Sequence, residues 1–125
     1  VLEDGLRANS EITIPARSNS EHYVGSSIQF RIERLSKDQL LSFVDACARR
    51  GLDLKWFGED EPRGFTSRYD SWKYLGEVQK LPRTLEILAN TFDMRVPLTF
   101  STDDCRLIAD IIGEVLAEME QGEAA

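Results

Sequence analysis

Between Leu107 and Met119 the apolar residues fall at Leu107, Ile108, Ile111, Ile112, Val115, Leu116 and Met119. That spacing is the repeat of an α-helix with one wide apolar face. Such a helix needs a second apolar surface to lie on. Ser101 or Thr102 supplies its N-cap, Asp103 and Asp104 complement the positive end of its dipole, and Gly122 marks its end. A carboxylate pair in that position reads as dipole complementation rather than acid–base chemistry. The acid is concentrated here: from Asp103 to Ala125 there are seven acidic residues and one basic, Arg106.

The second surface is written in alternating segments. His22 to Leu35 places Val24, Ile28, Phe30 and Ile32 on one parity and Gln29, Arg31 and Glu33 on the other, as in a half-buried strand. Ser36 and Gln39 form a capping-box pair that opens a helix with Leu40, Leu41, Phe43, Val44, Cys47 and Ala48 on one face. Arg49 and Arg50 suit its last turn and Gly51 ends it. Leu52 to Phe57 reads as a second strand, stopped by Gly58. Leu81-Pro82 opens a further helix whose apolar face is Leu85, Leu88, Ala89 and Phe92. Met94 to Phe100 reads as a third strand, confined to an edge or a bulge because Pro97 has no amide proton. The resulting expectation is an α+β fold: a small, mostly antiparallel sheet with helices packed on one face.

Residues 1–21 are polar and turn-rich apart from Glu11-Ile12-Thr13-Ile14, so they read as a linker or edge segment. The single α+β domain is expected over 22–121, with 122–125 as a tail. At 125 residues, 42% of them apolar and 30% charged, the composition is that of a globular domain and not of a disordered chain. The net charge of −7 argues against a nucleic-acid partner. The chain has no apolar run of membrane-spanning length, so no membrane partner is expected. Cys47 and Cys105 sit in apolar helical patterns without metal-ligand spacing, and the lone His22 is near neither. They read as two buried, reduced thiols of a cytoplasmic protein.

No catalytic motif is complete. His22 reads as a structural histidine, and Glu59-Asp60-Glu61 as a solvated turn. The segment from Lys55 to Lys80 stands out, because Trp56, Phe65, Tyr69, Trp72 and Tyr74 are interleaved with Arg63, Arg68 and Lys73. Guanidinium groups beside aromatic rings suit a phosphate, a carboxylate or a sugar ring. The same aromatics could instead cover one end of the sheet.

The order of elements resembles the C-terminal small domain of pyridoxal-phosphate-dependent aminotransferases, and most closely that of the DegT/DnrJ/StrS sugar aminotransferase family. The resemblance runs from about His22 to Met119. It rests on Tyr23-Val24-Gly25-Ser26-Ser27-Ile28-Gln29-Phe30, Lys37-Asp38-Gln39-Leu40-Leu41-Ser42-Phe43 and Arg50-Gly51-Leu52. Further on it rests on Leu81-Pro82 with Thr84, Leu88-Ala89, Val96-Pro97-Leu98 and Ser101-Thr102-Asp103-Asp104. The family's histidine-bearing motif after the second strand has no counterpart, since Leu54-Lys55-Trp56-Phe57-Gly58 and Phe65-Thr66-Ser67-Arg68-Tyr69 stand there. By position in that order, Trp56, Arg63, Arg68 and Tyr69 are the candidate substrate-facing residues. The resemblance implies a parent enzyme that uses pyridoxal phosphate, transfers an amino group and works as a homodimer. In such a parent the Schiff-base lysine and phosphate cradle belong to an N-terminal large domain. No cofactor and no catalytic residue is then expected in this chain, which would be inactive alone. A free-standing module binding a small anion through Arg63, Arg68 and Lys73 is the alternative, and a bare assembly domain is a third.

Overall fold

The computed structural model describes residues 1–61, 70 and 76–123. Along these residues the elements are α1 (Leu2–Arg7), β1 (Ile12–Thr13), β2 (Ser27–Ile32), α2 (Lys37–Arg49), β3 (Lys55–Trp56), α3 (Pro82–Leu88), β4 (Thr91–Arg95) and α4 (Thr102–Glu123). The four strands form one open antiparallel sheet in the order β1-β2-β4-β3. This is the small α+β architecture the residue patterns require.

Strand alternation decides which face is covered. Ile28, Phe30 and Ile32 of β2 and Phe92 and Met94 of β4 are buried, while Ser27, Gln29, Arg31, Thr91 and Asp93 between them are half-buried. The buried set joins Leu40, Phe43, Val44 and Cys47 of α2 and Ile108, Ile112, Val115 and Leu116 of α4 in one core. Four rings organise its centre. Phe92 lies opposite both Phe30 and Trp56 in the sheet, and the three stack in a row with centroids 5.3 and 6.5 Å apart. Phe43 meets Phe92 edge-on at 5.4 Å, the arrangement favoured by the ring quadrupoles.

Both ends of α2 follow from sequence. Ser36 Oγ accepts from the Gln39 amide and Gln39 Oε1 accepts from the Ser36 amide, at 3.4 and 2.6 Å. At the other end Gly51 adopts φ +85°, which a side chain would resist. The Gly51 and Leu52 amides then donate to the Ala48 and Cys47 carbonyls at 3.0 and 2.9 Å, closing a Schellman motif. Helix α4 is capped by a similar exchange: Ser101 Oγ accepts from the Asp104 amide at 3.1 Å, and Asp104 Oδ2 accepts from the Ser101 amide at 2.7 Å.

Several boundaries differ from the sequence reading. The strand expected over Met94–Phe100 instead occupies Thr91–Arg95, so Phe92 belongs to the sheet and not to the face of α3. Proline is the reason: the Val96 amide makes the last bond, to Ser26 at 2.9 Å, and Pro97 has no proton to continue the ladder. Leu98 is consequently fully exposed and the Phe100 amide closes a turn onto Pro97. The strand expected from His22 begins only at Ser27, beyond Gly25 at φ +74°, and Val24 is exposed. Pairing at Leu52–Phe57 is confined to Lys55–Trp56. Helix α4 runs through Gly122 to Glu123.

Leu107 is 57% exposed and is not a core residue. At 100° per residue it lies about 140° around the helix from Ile112, outside the arc that meets the sheet. Within residues 1–21 the edge strand at Ile12–Thr13 is present. A helix absent from the sequence reading, α1, packs on α4 and buries Leu2 and Leu6. Gly5 permits that contact, because a Cβ there would lie 2.7 Å from the Ala109 side chain.

Candidate functional site

The turn that leaves β3 meets the start of α2 and the end of α3 around a cavity of about 290 Å³. Its apolar wall is Leu35, Leu40, Trp56, Phe57, Leu85, Leu88 and Ala89, and Lys37, Glu59, Asp70 and Asn90 add its polar lining. The three elements are tied together around it. Lys37 Nζ reaches Asp60 Oδ1 at 2.6 Å, joining the first turn of α2 to the turn after β3. Trp56 Nε1 donates to the Ala89 carbonyl at 2.8 Å, fixing β3 to the end of α3. The Phe57 amide donates to Thr91 at 3.0 Å. Gly58 has no room for a side chain: a Cβ would stand 2.6 Å from the Trp56 indole.

Trp56, expected to face substrate, is 1% exposed and forms part of the core, with its only polar atom committed to Ala89. It reaches the cavity as a wall. Arg63, Arg68 and Tyr69 lie outside the described residues, as do Lys73, Phe65, Trp72 and Tyr74. Of the expected site residues, Trp56 is the one among the described residues, and it lines the cavity. Leu35, Lys37, Leu85, Leu88 and Asn90 were not expected there. The one sequence signal for Lys37 was its place next to the Ser36 cap. In the turn Glu59-Asp60-Glu61, expected to be solvated throughout, Asp60 and Glu61 are exposed and Asp60 holds Lys37, whereas Glu59 is half-buried against the cavity.

No protein-family model, curated protein or solved structure matches this chain.

The site's chemistry thus rests on its own residues. The walls suit an apolar or ring-bearing group, and the polar lining carries both signs of charge. Among the described residues there is no cluster of three or more metal-ligating side chains. No helix among them is long and apolar enough to cross a membrane. The two thiols differ: Cys47 is fully buried as expected, and burial pushes its pKa up to about 12, whereas Cys105, expected to be buried as well, is half-buried. Asp104 is held below the usual carboxylate range by the Ser101 hydroxyl and then by the Ser101 amide. That shift belongs to the helix cap, where Asp104 bonds Ser101, a local role beyond the dipole complementation expected of Asp103-Asp104.

Proposed function

We propose that this chain is the C-terminal small domain of a pyridoxal-phosphate-dependent aminotransferase of the DegT/DnrJ/StrS kind. It closes over the active site of the parent enzyme and supplies part of the substrate wall. The observation that carries this reading is the position of the cavity. In the order of elements it falls at the turn after β3, where the resemblance puts the substrate side, and it is walled by Trp56 and Phe57. The covered antiparallel sheet and the sequence of its helices agree with the same reading.

The described lysines do not fit the cofactor's aldehyde. Lys37 is 53% exposed and ion-paired with Asp60, Lys55 stands over the Phe57 ring at 5.2 Å, and Lys80 is exposed. A Schiff-base lysine is desolvated or activated by neighbours, and none of these three has that setting. No reaction step is assigned to this chain. Its partners in the proposal are the large domain of the parent chain and, through that domain, a second protomer.

The test is the native protein from its source cells, detected with an antibody against this domain. The expected species is several times heavier than 14.2 kDa. It should carry the near-ultraviolet and visible absorbance of an internal Schiff base, which borohydride removes. A native chain of 14.2 kDa, or a long one that holds no aldehyde cofactor, overturns the proposal.

A further inference from the structure

Two groups of exposed apolar side chains lie at opposite ends of the sheet. Leu85 and Ile87 of α3 stand where β4 begins, the end that holds the cavity. Tyr23, Val24, Leu98, Phe100 and Leu107 belong to the other end. There Ser27, which opens β2, pairs with Arg95, which closes β4. Tyr23 and Val24 therefore lead into the sheet, and Leu98 and Phe100 lead out of it, at one end. Helix α4 starts from that end at Thr102 and carries Leu107 in its second turn. Val24 is 87% exposed and Leu98 wholly so. Large apolar side chains left bare together mark a surface that another surface covers.

The start of the chain comes to the same end. Gly5 sits against Ala109, and farther along Arg34 joins Glu11 to Glu120. Helix α1 thus advances beside α4 in the same direction, and Val1 stands off the first turns of α4. Glu3 is ion-paired to Arg17, whose guanidinium lies 3.4 Å from the centre of the Tyr23 ring, so the first turn of α1 is tied to the approach to β2. Beside Phe100, Leu107 and Ile111 a groove of about 700 Å³ is rimmed by Arg50, Asp53, Arg95 and Asp104. Arg50 is taken by Glu114 and Glu118, Asp104 by Ser101, and Asp53 has a partner as well. Arg95 is exposed and has no ion-pair partner among the described residues.

We propose that this end of the domain seats the large domain that precedes Val1 in the parent, an inference that rests on the aminotransferase reading above. The facing surface is apolar, with a carboxylate set against Arg95. Position favours that occupant over a second copy. A chain entering at Val1 is delivered onto this end by its own connection, at an effective concentration that a separate molecule does not reach. The seat lies across the sheet from the cavity. Docking there anchors one end of the domain and leaves Trp56 and Phe57 at the other to face substrate.

The test is made on the native parent protein. Hydroxyl-radical labelling of each residue is compared with labelling of the same residue in the free tryptic peptides. Leu98 and Leu107 should label about fivefold or more slower in the native protein, as side chains in the water-excluded core of an interface do. Leu98→p-benzoylphenylalanine, irradiated in the same protein, should give a product within one chain, joined to a peptide that precedes Val1. Labelling of Leu98 at its peptide rate overturns the inference. So does a cross-linked product of twice the chain mass, which assigns the face to a second copy. Schiff-base absorbance of the same sample is scored separately. A parent that has the absorbance and leaves Leu98 bare keeps the aminotransferase reading and loses this one. A parent that lacks it and protects Leu98 within its own chain does the reverse. A native chain of 14.2 kDa overturns both.

Discussion

Single residues here are constrained by what a neighbour leaves them. Gly58 needs no unusual backbone angle; it is glycine-sized because the Trp56 indole fills the space a Cβ would take. The indole in turn is held by one bond to the Ala89 carbonyl, which satisfies its only donor in the core. Cys47 shows the same logic for charge. Burial holds its proton in the folded state to about pH 12, while an unfolded thiol ionises near about 8.5. A raised acid pKa means the folded state binds the proton more tightly. Its contribution is complete below about pH 8.5 and is lost as pH climbs toward 12. Native protein at pH 8 should therefore expose one of its two thiols, Cys105, to a disulfide reagent. Unfolding in guanidinium should release the second. Immediate reaction of both would show that Cys47 is not sealed.

Among the elements, the helices were written locally and their burial was not. The cap at Ser36 and the glycine exit at Gly51 read correctly, because each depends on residues within one turn, while for α4 the sequence offered Ser101 or Thr102 and the structure takes Ser101. The face of α4 depends on distant residues. Seven apolar positions mark a stripe wider than the sheet can cover, and Leu107 falls on the part left over. Ile112→Ala should cost about 2–5 kcal/mol, as truncation at a closed core site does. Leu107→Ala should cost less than about 1 kcal/mol, since a half-exposed side chain leaves little cavity. Chemical denaturation of both variants, read by circular dichroism, checks the ranking; equal losses would put Leu107 back in the core. Strand β4 is the opposite case: alternation continued to Phe100, but Pro97 ended the hydrogen bonding three residues after Met94.

At the scale of the whole molecule, Phe92 is the meeting point of sheet and helices. It touches Phe30 on β2, Trp56 on β3 and Phe43 on α2, so three elements share one ring. Phe92→Ala should cost about 3–5 kcal/mol, in the upper range for a core aromatic. It should lower the melting midpoint in near- and far-ultraviolet dichroism together, because sheet and helix lose the same anchor. A loss confined to one signal would mean the core is divided. The ion pairs that span the surface, Arg50 with Glu114 and Glu118 and Arg34 with Glu11 and Glu120, orient α4 more than they stabilise it. They also explain how a chain with a strongly acidic last helix keeps that helix in place: its carboxylates meet the two arginines that end α2 and follow β2.

By itself the sequence determined the fold class, the order of the main elements, both ends of α2 and the burial of Cys47. These follow from neighbours along the chain and from the two periods of apolar residues, 2 for strands and 3.6 for helices. Only the tertiary structure decided that Trp56 is a wall of the core and not a free aromatic, that Phe92 sits in the sheet, and that α1 docks against Ala109. The cavity likewise draws on Leu35, Lys37, Trp56 and Leu88, which stand far apart in the chain. Each of those outcomes depends on which surface arrives opposite, and periodicity in one segment carries no record of the segment that will cover it.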